Sequence, residues 1–356
     1  MLTPEQRAAR DAAIREFVDR FAPGSNADLY AGMLTTICRL ANEKCGRGEL
    51  KLLDTALKEL RYAFKIFTPY VLTRKVSIFG SARTPEDHGD YLQAAKFAER
   101  IRKEDWMVIT GAGDGIMKAG HGGAGREASF GVAIRLPFEQ RTNVIIAEDE
   151  KLIQFKYFFT RKLMFIKEAS AVALFPGGFG TQDEGFEALT LVQTGKTSPI
   201  PIVMIERAGG TYWQHWRDYV SSELLRSGMI GPEDMNLFHV TDDVEDAVEH
   251  IVRFYRVYHS SRYVNDIFVM RLNAPLPESA VEQLNQDFAD ILVEGKIEQS
   301  VAHTQEAGEL PEKPRLHLHF NRHRHGRLRQ MIDRINIFDV PITPTAPEPQ
   351  EAIVVE

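Results

Sequence analysis

Apolar positions follow two rhythms along the chain. Up to about residue 70 they recur three and four apart, as in Leu34, Ile37, Cys38 and Ala41, then Leu53, Leu57, Leu60 and Phe64. That is the period of amphipathic helices, and Pro69 ends the stretch. From Lys75 the pattern becomes short apolar runs separated by helix-like segments. Val76-Ser77-Ile78-Phe79, Met107-Val108-Ile109, Val132-Ala133-Ile134, Ala171-Val172-Ala173-Leu174-Phe175, Ile202-Val203-Met204-Ile205 and Leu237-Phe238-His239-Val240 read as strands. Helices are predicted around Ala94 to Ile101, from Ile116, near 150–167, over Thr181 to Gln193 and Trp213 to Leu225, and after an N-capping Asp242. Strands alternating with helices predict a parallel sheet covered on both faces. The expected class is α/β, a Rossmann-like doubly wound parallel sheet over 71–260, with a helical N-terminal extension over 1–70.

After Ser260 the composition shifts. Ile267-Phe268-Val269-Met270 and Leu316-His317-Leu318-His319-Phe320 read as strands, Val281 to Leu292 and Leu328 to Ile337 as helices. A small α+β C-terminal appendage over 261–338 fits. The tail over 339–356, with Pro341, Pro344, Pro347 and Pro349, is expected to be disordered.

Charge narrows the partners. The 356 residues carry a net charge of −7, which disfavours broad attraction to nucleic acid. The start lacks the charged-then-apolar pattern of a signal peptide, and no apolar run is long enough to span a bilayer. A cytoplasmic protein without a membrane partner is expected. Cys38 and Cys45, if on one helix, lie two turns apart, too far for a disulfide.

Three glycine-bearing segments each follow a predicted strand, so all can face the carboxyl ends of the sheet, where ligands of parallel sheets bind. In Phe175-Pro176-Gly177-Gly178-Phe179-Gly180-Thr181-Gln182-Asp183-Glu184 a buried strand runs into a helix. Glycines permit close backbone approach, and a helix start offers unpaired N–H groups. Together they suit a 5′-phosphate, to which Thr181 can add its hydroxyl. Thr181-x-x-Glu184 also reads as a capping box, a purely structural role for Glu184. A cap, however, needs none of Gly177, Gly178 and Gly180. Arg161-Lys162 oppose the dipole of the helix they open, so they are placed to meet an anion or a carboxylate. The competing reading is a solvated pair beside Glu148-Asp149-Glu150. Thr110-Gly111-Ala112-Gly113-Asp114-Gly115-Ile116-Met117 is a further turn. It is not a dinucleotide fingerprint, which belongs after the first strand, where this chain has Gly80-Ser81-Ala82-Arg83.

In order and spacing, Gly80 to Arg83, Thr110 to Met117, Arg161-Lys162 and the PGGFGTQDE run resemble the LOG (Lonely Guy) family over roughly residues 74–255. The resemblance implies a nucleoside 5′-monophosphate phosphoribohydrolase acting on AMP or an N6-modified, cytokinin-type AMP, with no cofactor and no metal. It makes Arg161 and Glu184 the catalytic pair. It makes Lys162, Gly177, Gly178, Phe179, Gly180, Thr181 and Thr190 substrate contacts, joined by Ser81, Gly111 and Gly113 from the earlier turns. Glu139 falls where the family often has a substrate-contacting acid. Ala112 stands where the family usually has glycine and Asp114 where it often has proline or valine, which leaves the base unspecified. The resemblance also implies a homo-oligomer, a dimer or larger. The alternative is a non-catalytic carrier, since related proteins hold molybdenum cofactor by its phosphate.

Two clusters remain. His317, His319, His323 and His325 evoke a metal site, but Arg315, Arg322, Arg324, Arg327 and Arg329 would repel a cation. A basic face for an acidic segment, a subunit or an effector nucleotide fits better. Trp213, Trp216 and Tyr219 on one helix suit either an interface or the core.

Overall fold

A computed structural model describes residues 2–135, 142–306 and 309–342. The chain divides into two compact units, 1–60 and 61–356. The first holds α1 (Pro4–Phe21), α2 (Ala27–Asn42) and most of α3 (Arg47–Phe67). A capping box between Thr3 and Gln6, with proline in the first turn, starts α1. Cys38 lies in α2 and Cys45 beyond its end, both as free thiols.

The second unit opens with the end of α3, where Phe67 stacks on Phe130 at 4.4 Å. There follow β1 (Lys75–Phe79), α4 (Gly89–Arg102), β2 (Met107–Thr110), α5 (Ile116–Ala124), β3 (Ser129–Ile134), β4 (Leu152–Phe155), α6 (Phe158–Lys167) and β5 (Ala171–Leu174). Next come α7 (Phe179–Gln193), β6 (Ile202–Ile205), α8 (Tyr212–Tyr219), β7 (His239–Thr241) and α9 (Val244–Phe254). The seven strands form one parallel sheet in the order β4-β3-β2-β1-β5-β6-β7. Strands β1, β2, β3, β5 and β6 are buried along their whole length, the condition of a sheet with helices on both faces. This is the Rossmann-like α/β fold.

Several elements differ from the sequence reading. The segment near 150–167 is not one helix: Leu152–Phe155 pairs with β3 as an edge strand before α6 begins. Four residues carry too little periodicity to be separated from the helix behind them. The last strand is shifted to His239–Thr241, because Leu237 closes a 3₁₀ turn and packs inward. The helix from Trp213 becomes π-helical over Val220–Leu225.

The remainder is β8 (Tyr258–Val264), β9 (Ile267–Leu272), α10 (Glu278–Asp287), β10 (Glu298–Ser300), β11 (Arg315–Leu318) and α11 (His325–Ile337). Its sheet has the order β10-β11-β9-β8 and is antiparallel throughout. β8 and β10 carry no apolar run, so only their pairing reveals them. A core of Phe254, Met270, Leu284, Leu316, Leu328 and Ile332 is separate from the one beneath the parallel sheet. The tail beyond residue 342 lies outside the described residues.

Candidate functional site

Strands β1 and β5 are neighbours, yet the chain runs outward from them in opposite directions. The connections that follow them therefore diverge and leave a crevice, the switch point at which such sheets bind ligands. Backbone bonds lace the turns together there. The Ser81 N–H donates to the Pro176 carbonyl at 3.1 Å, and the Ile116 N–H to the Ser81 carbonyl at 3.0 Å. Gly115, at φ +59°, is locked against that carbonyl: a Cβ on it would lie 2.2 Å from Ser81 O.

The glycines after β5 divide into two kinds. A Cβ on Gly177 would lie 2.1 Å from Thr181 Oγ1, so packing demands glycine. Gly178 and Gly180 would meet nothing within 4 Å, and neither takes a left-handed φ. Nothing in the fold requires glycine at these two positions; a ligand lying against the backbone would. Gly178 is the N-cap of α7 and Thr181 already lies in its first turn, so the capping box read from Thr181 and Glu184 is not formed. The helix starts earlier because the glycine turn passes directly into helical geometry. The start of α7 thus has no side-chain cap, and the Cβ positions of Gly178 and Gly180 beside it open onto unfilled space. Phe179 is 96% exposed at this rim. Tyr212, which no local pattern marks, donates from its hydroxyl to Gly177 O at 2.6 Å and accepts from Gln182 Nε2 at 2.6 Å.

Glu184 sits one turn into α7 and is only 6% exposed. Burial pushes its carboxyl up to about 7, against the pull of the Lys162 and Arg161 charges. Its Oε2 is buried without a hydrogen-bond partner among the described residues, and so is Arg161 Nε. Burial holds the Arg161 guanidinium below its ordinary value, opposed by the Glu184 charge. That guanidinium reaches the β2 turn, where a Cβ on Gly111 would lie 3.3 Å from it. Arg161 therefore links α6 to the β2 turn, and its charge acts on the Glu184 carboxyl of α7. Lys162 turns to α7 as well, with Nζ at 2.5 Å from Glu187, 3.1 Å from Asp183 and 3.8 Å from Glu184. Burial disfavours its charge, but hydrogen bonds to Glu187 and Asp183 raise its pKa on balance.

Beneath the β2 turn lies a polar network that the sequence reading missed. His121 Nε2 stands 3.1 Å from Phe130 O and 3.0 Å from Thr110 Oγ1. With its proton there, Nδ1 is left to accept from Asn143 Nδ2 at 3.1 Å. Asn143 Nδ2 also donates to Gly113 O at 2.9 Å, and the Asn143 N–H donates to Ala112 O at 2.9 Å. Burial lowers the His121 pKa, which keeps the ring neutral. Ala112 holds φ +61°, and these bonds maintain it.

The structure therefore gathers Ser81, Gly111, Gly113, Arg161, Lys162, Gly177, Gly178, Phe179, Gly180, Thr181 and Glu184 around one crevice. It does not bring Thr190 there: that residue is exposed, about 13 Å along α7 from Thr181. Glu139 lies outside the described residues. The four C-terminal histidines do not converge. His325 packs against Gly195, and His317 faces His303 at 6.1 Å. Arg315 and Arg329 are buried, so they form no basic face. Trp213 is core, donating to Ile205 O at 3.2 Å, whereas Tyr219 is 51% exposed. Among the described residues no helix is long and apolar enough to cross a membrane, and no group of three or more His, Cys, Asp or Glu is placed to hold a metal ion.

Residues 113–251 match the family model described as "possible lysine decarboxylase". A cytokinin riboside 5′-monophosphate phosphoribohydrolase of Mycobacterium tuberculosis is 28% identical over 163 residues, 45% of this chain and 85% of that protein. Over these stretches the chain is similar to that family and to that relative. Among solved structures, the Moco carrier protein from Chlamydomonas reinhardtii is 19% identical, with 51% of this chain and 96% of that one aligned at a TM-score of 0.35. The molybdenum cofactor binding protein from Rippkaea orientalis is 18% identical, with 51% and 96% aligned at 0.36. Scores this low carry no functional weight. The family match starts at the β2 turn and ends in α9, so it contains Arg161 and Glu184 but not Ser81, the N-terminal helices or the antiparallel sheet.

Proposed function

We propose that this protein hydrolyses the N-glycosidic bond of a nucleoside 5′-monophosphate, AMP or an N6-modified AMP, to the free base and ribose 5-phosphate. One observation carries the reading: a buried carboxylate and a buried guanidinium, each with an unsatisfied polar atom, stand beside an uncapped helix start with room for a phosphate. The named phosphoribohydrolase relative supports it.

The phosphate is held by the first N–H groups of α7, against Gly178 and Gly180. Cleavage of the bond from ribose C1 to the base nitrogen leaves the electron pair on the base and builds oxocarbenium character on the sugar. The Glu184 carboxylate stabilises that charge and takes a proton from the attacking water, whose oxygen bonds to C1. The departing nitrogen is protonated from solvent or a neighbouring acid, so one water is consumed. Arg161 orients the carboxylate and binds sugar or phosphate oxygens.

The test is incubation with AMP, followed by chromatography for adenine and ribose 5-phosphate. Glu184→Gln is expected to fold normally and lower turnover by roughly 10²–10⁴-fold. Undiminished release of adenine by that variant would refute the role of Glu184. Tight binding of AMP by the unmodified protein without turnover would replace the hydrolase with a carrier.

A further inference from the structure

A cavity of about 580 Å³ lies at the amino ends of the parallel strands, where Lys75 begins β1 and Ser170 and Ile200 precede β5 and β6. Its wall also includes β8 residues and Arg322 and His325 from the C-terminal region. Helices α6 and α7, which carry Arg161 and Glu184, both end at this cavity, at Lys167 and at Thr194 to Lys196. Glu184 and Lys196 are twelve residues apart, about 18 Å along a helical path, so the cavity is no extension of the crevice.

The lining is strongly cationic. Arg74, Lys75, Lys167, Lys196, Arg262 and Arg322 contribute to it, against a single acid, Glu168, among the described lining residues. Glu168 already pairs with Lys167 at 2.7 Å. Burial, with the charges of Lys313, Arg74, Arg271 and Arg315, pushes the neighbouring His259 down to about 3, a mark of positive potential here. The Thr197 hydroxyl, on a residue 4% exposed, has no hydrogen-bond partner among the described residues. Tyr255, Tyr258, Tyr263 and Phe268 supply aromatic wall. Two of these rings already face guanidinium groups, Tyr255 that of Arg74 at 3.5 Å and Tyr263 that of Arg322 at 4.3 Å.

We propose that this cavity is a second binding site, for a nucleoside di- or triphosphate: the cations take the phosphates and the aromatic wall takes the base. A polyanion complements a lining with more basic than acidic side chains, and the rings distinguish a nucleotide from an inorganic anion. The volume falls in the range of small-molecule sites.

Calorimetric titration of the full chain with ATP, GTP and inorganic tripolyphosphate tests this. One nucleotide should bind per chain, and saturating AMP should not displace it from Glu184→Gln. Lys196→Glu combined with Arg322→Glu, both at solvent-facing positions, should weaken binding by at least about tenfold. The melting temperature and AMP turnover should be unchanged in that variant. Thr197→Val should weaken binding roughly fivefold. Tripolyphosphate should bind at least about tenfold more weakly than the nucleotide. The proposal is overturned by absence of binding at about 1 mM nucleotide, by equal affinity in the charge-reversed variant, by displacement with AMP, or by tripolyphosphate binding as tightly as ATP or GTP.

Discussion

At the residue scale, Glu184 links stability to activity. Its carboxyl is raised from 4.5 to about 7, mainly by burial. The folded state therefore holds its proton more tightly than the unfolded chain does, and the carboxyl opposes folding increasingly as pH rises from 4.5 to about 7. Above that range the penalty levels off at roughly 3 kcal/mol. Glu184→Gln should accordingly melt higher than the unmodified protein at pH about 8, with the gain shrinking toward pH about 5. A gain that stays constant with pH would contradict this assignment. The catalytic base must be ionised, so kcat/KM for AMP should rise with pH through a midpoint near 7. A pH–rate profile flat between about 5.5 and 8 would rule that out. The glycines permit a paired test. Gly177→Ala, with its Cβ driven onto Thr181, should cost roughly 1–3 kcal/mol in denaturant titration. Gly180→Ala points into open space and should leave stability unchanged or slightly raised, while raising the KM for AMP.

At the element scale, the β2-to-α5 turn is held in place from below. The Asn143 side chain serves the Gly113 carbonyl and the His121 imidazole, so Asn143→Ala strands buried polar groups on two residues. Urea unfolding should register a loss of roughly 1–3 kcal/mol. Turnover should fall as well, because Gly111 is the backbone neighbour of the Arg161 guanidinium. Unchanged stability would show that solvent replaces these bonds. This network was not legible in the sequence, since Thr110, His121 and Asn143 share no periodicity and meet only once β3 brings Phe130 beside them. The edge strand β4 escaped for a related reason. Its burial alternates, as an edge exposed on one side requires, and four such residues before a helix look like the start of that helix.

At the scale of the whole molecule, the unit over 61–356 carries separate cores, and the one packed on the antiparallel sheet is pinned by a buried ionic cluster. Glu306 accepts from Arg271 Nε at 3.0 Å, from Arg315 Nε at 3.1 Å and from the His303 N–H at 2.9 Å. Burial works against its charge, but these donors hold the carboxyl below its ordinary value. The cluster therefore stabilises the fold above pH 4.5, and that contribution is lost as the pH falls further. Glu306→Gln should cost roughly 3–5 kcal/mol at neutral pH, with the difference closing in acid. A loss under 1 kcal/mol would mean that the cluster is solvated. Arg315 of the cluster comes from the segment that reads as a basic face; folding turns it inward, and Arg329 of that segment is buried likewise.

The order of strands and helices and the glycine turns behind them were written in local pattern, because each depends on side-chain spacing within one element, whereas the pairing of Arg161 with Glu184 came from the family resemblance. The sequence likewise carries three glycines, Gly177, Gly178 and Gly180, that a simple helix cap does not need. Three things needed the chain to close on itself: the convergence of α6, α7 and the β2 turn on one crevice, the raised pKa of Glu184, and the cationic cavity at the other end of the same helices. Each depends on burial and on charges contributed by residues distant in sequence. Desolvation and electrostatic neighbourhood are properties of the packed molecule and of no single segment.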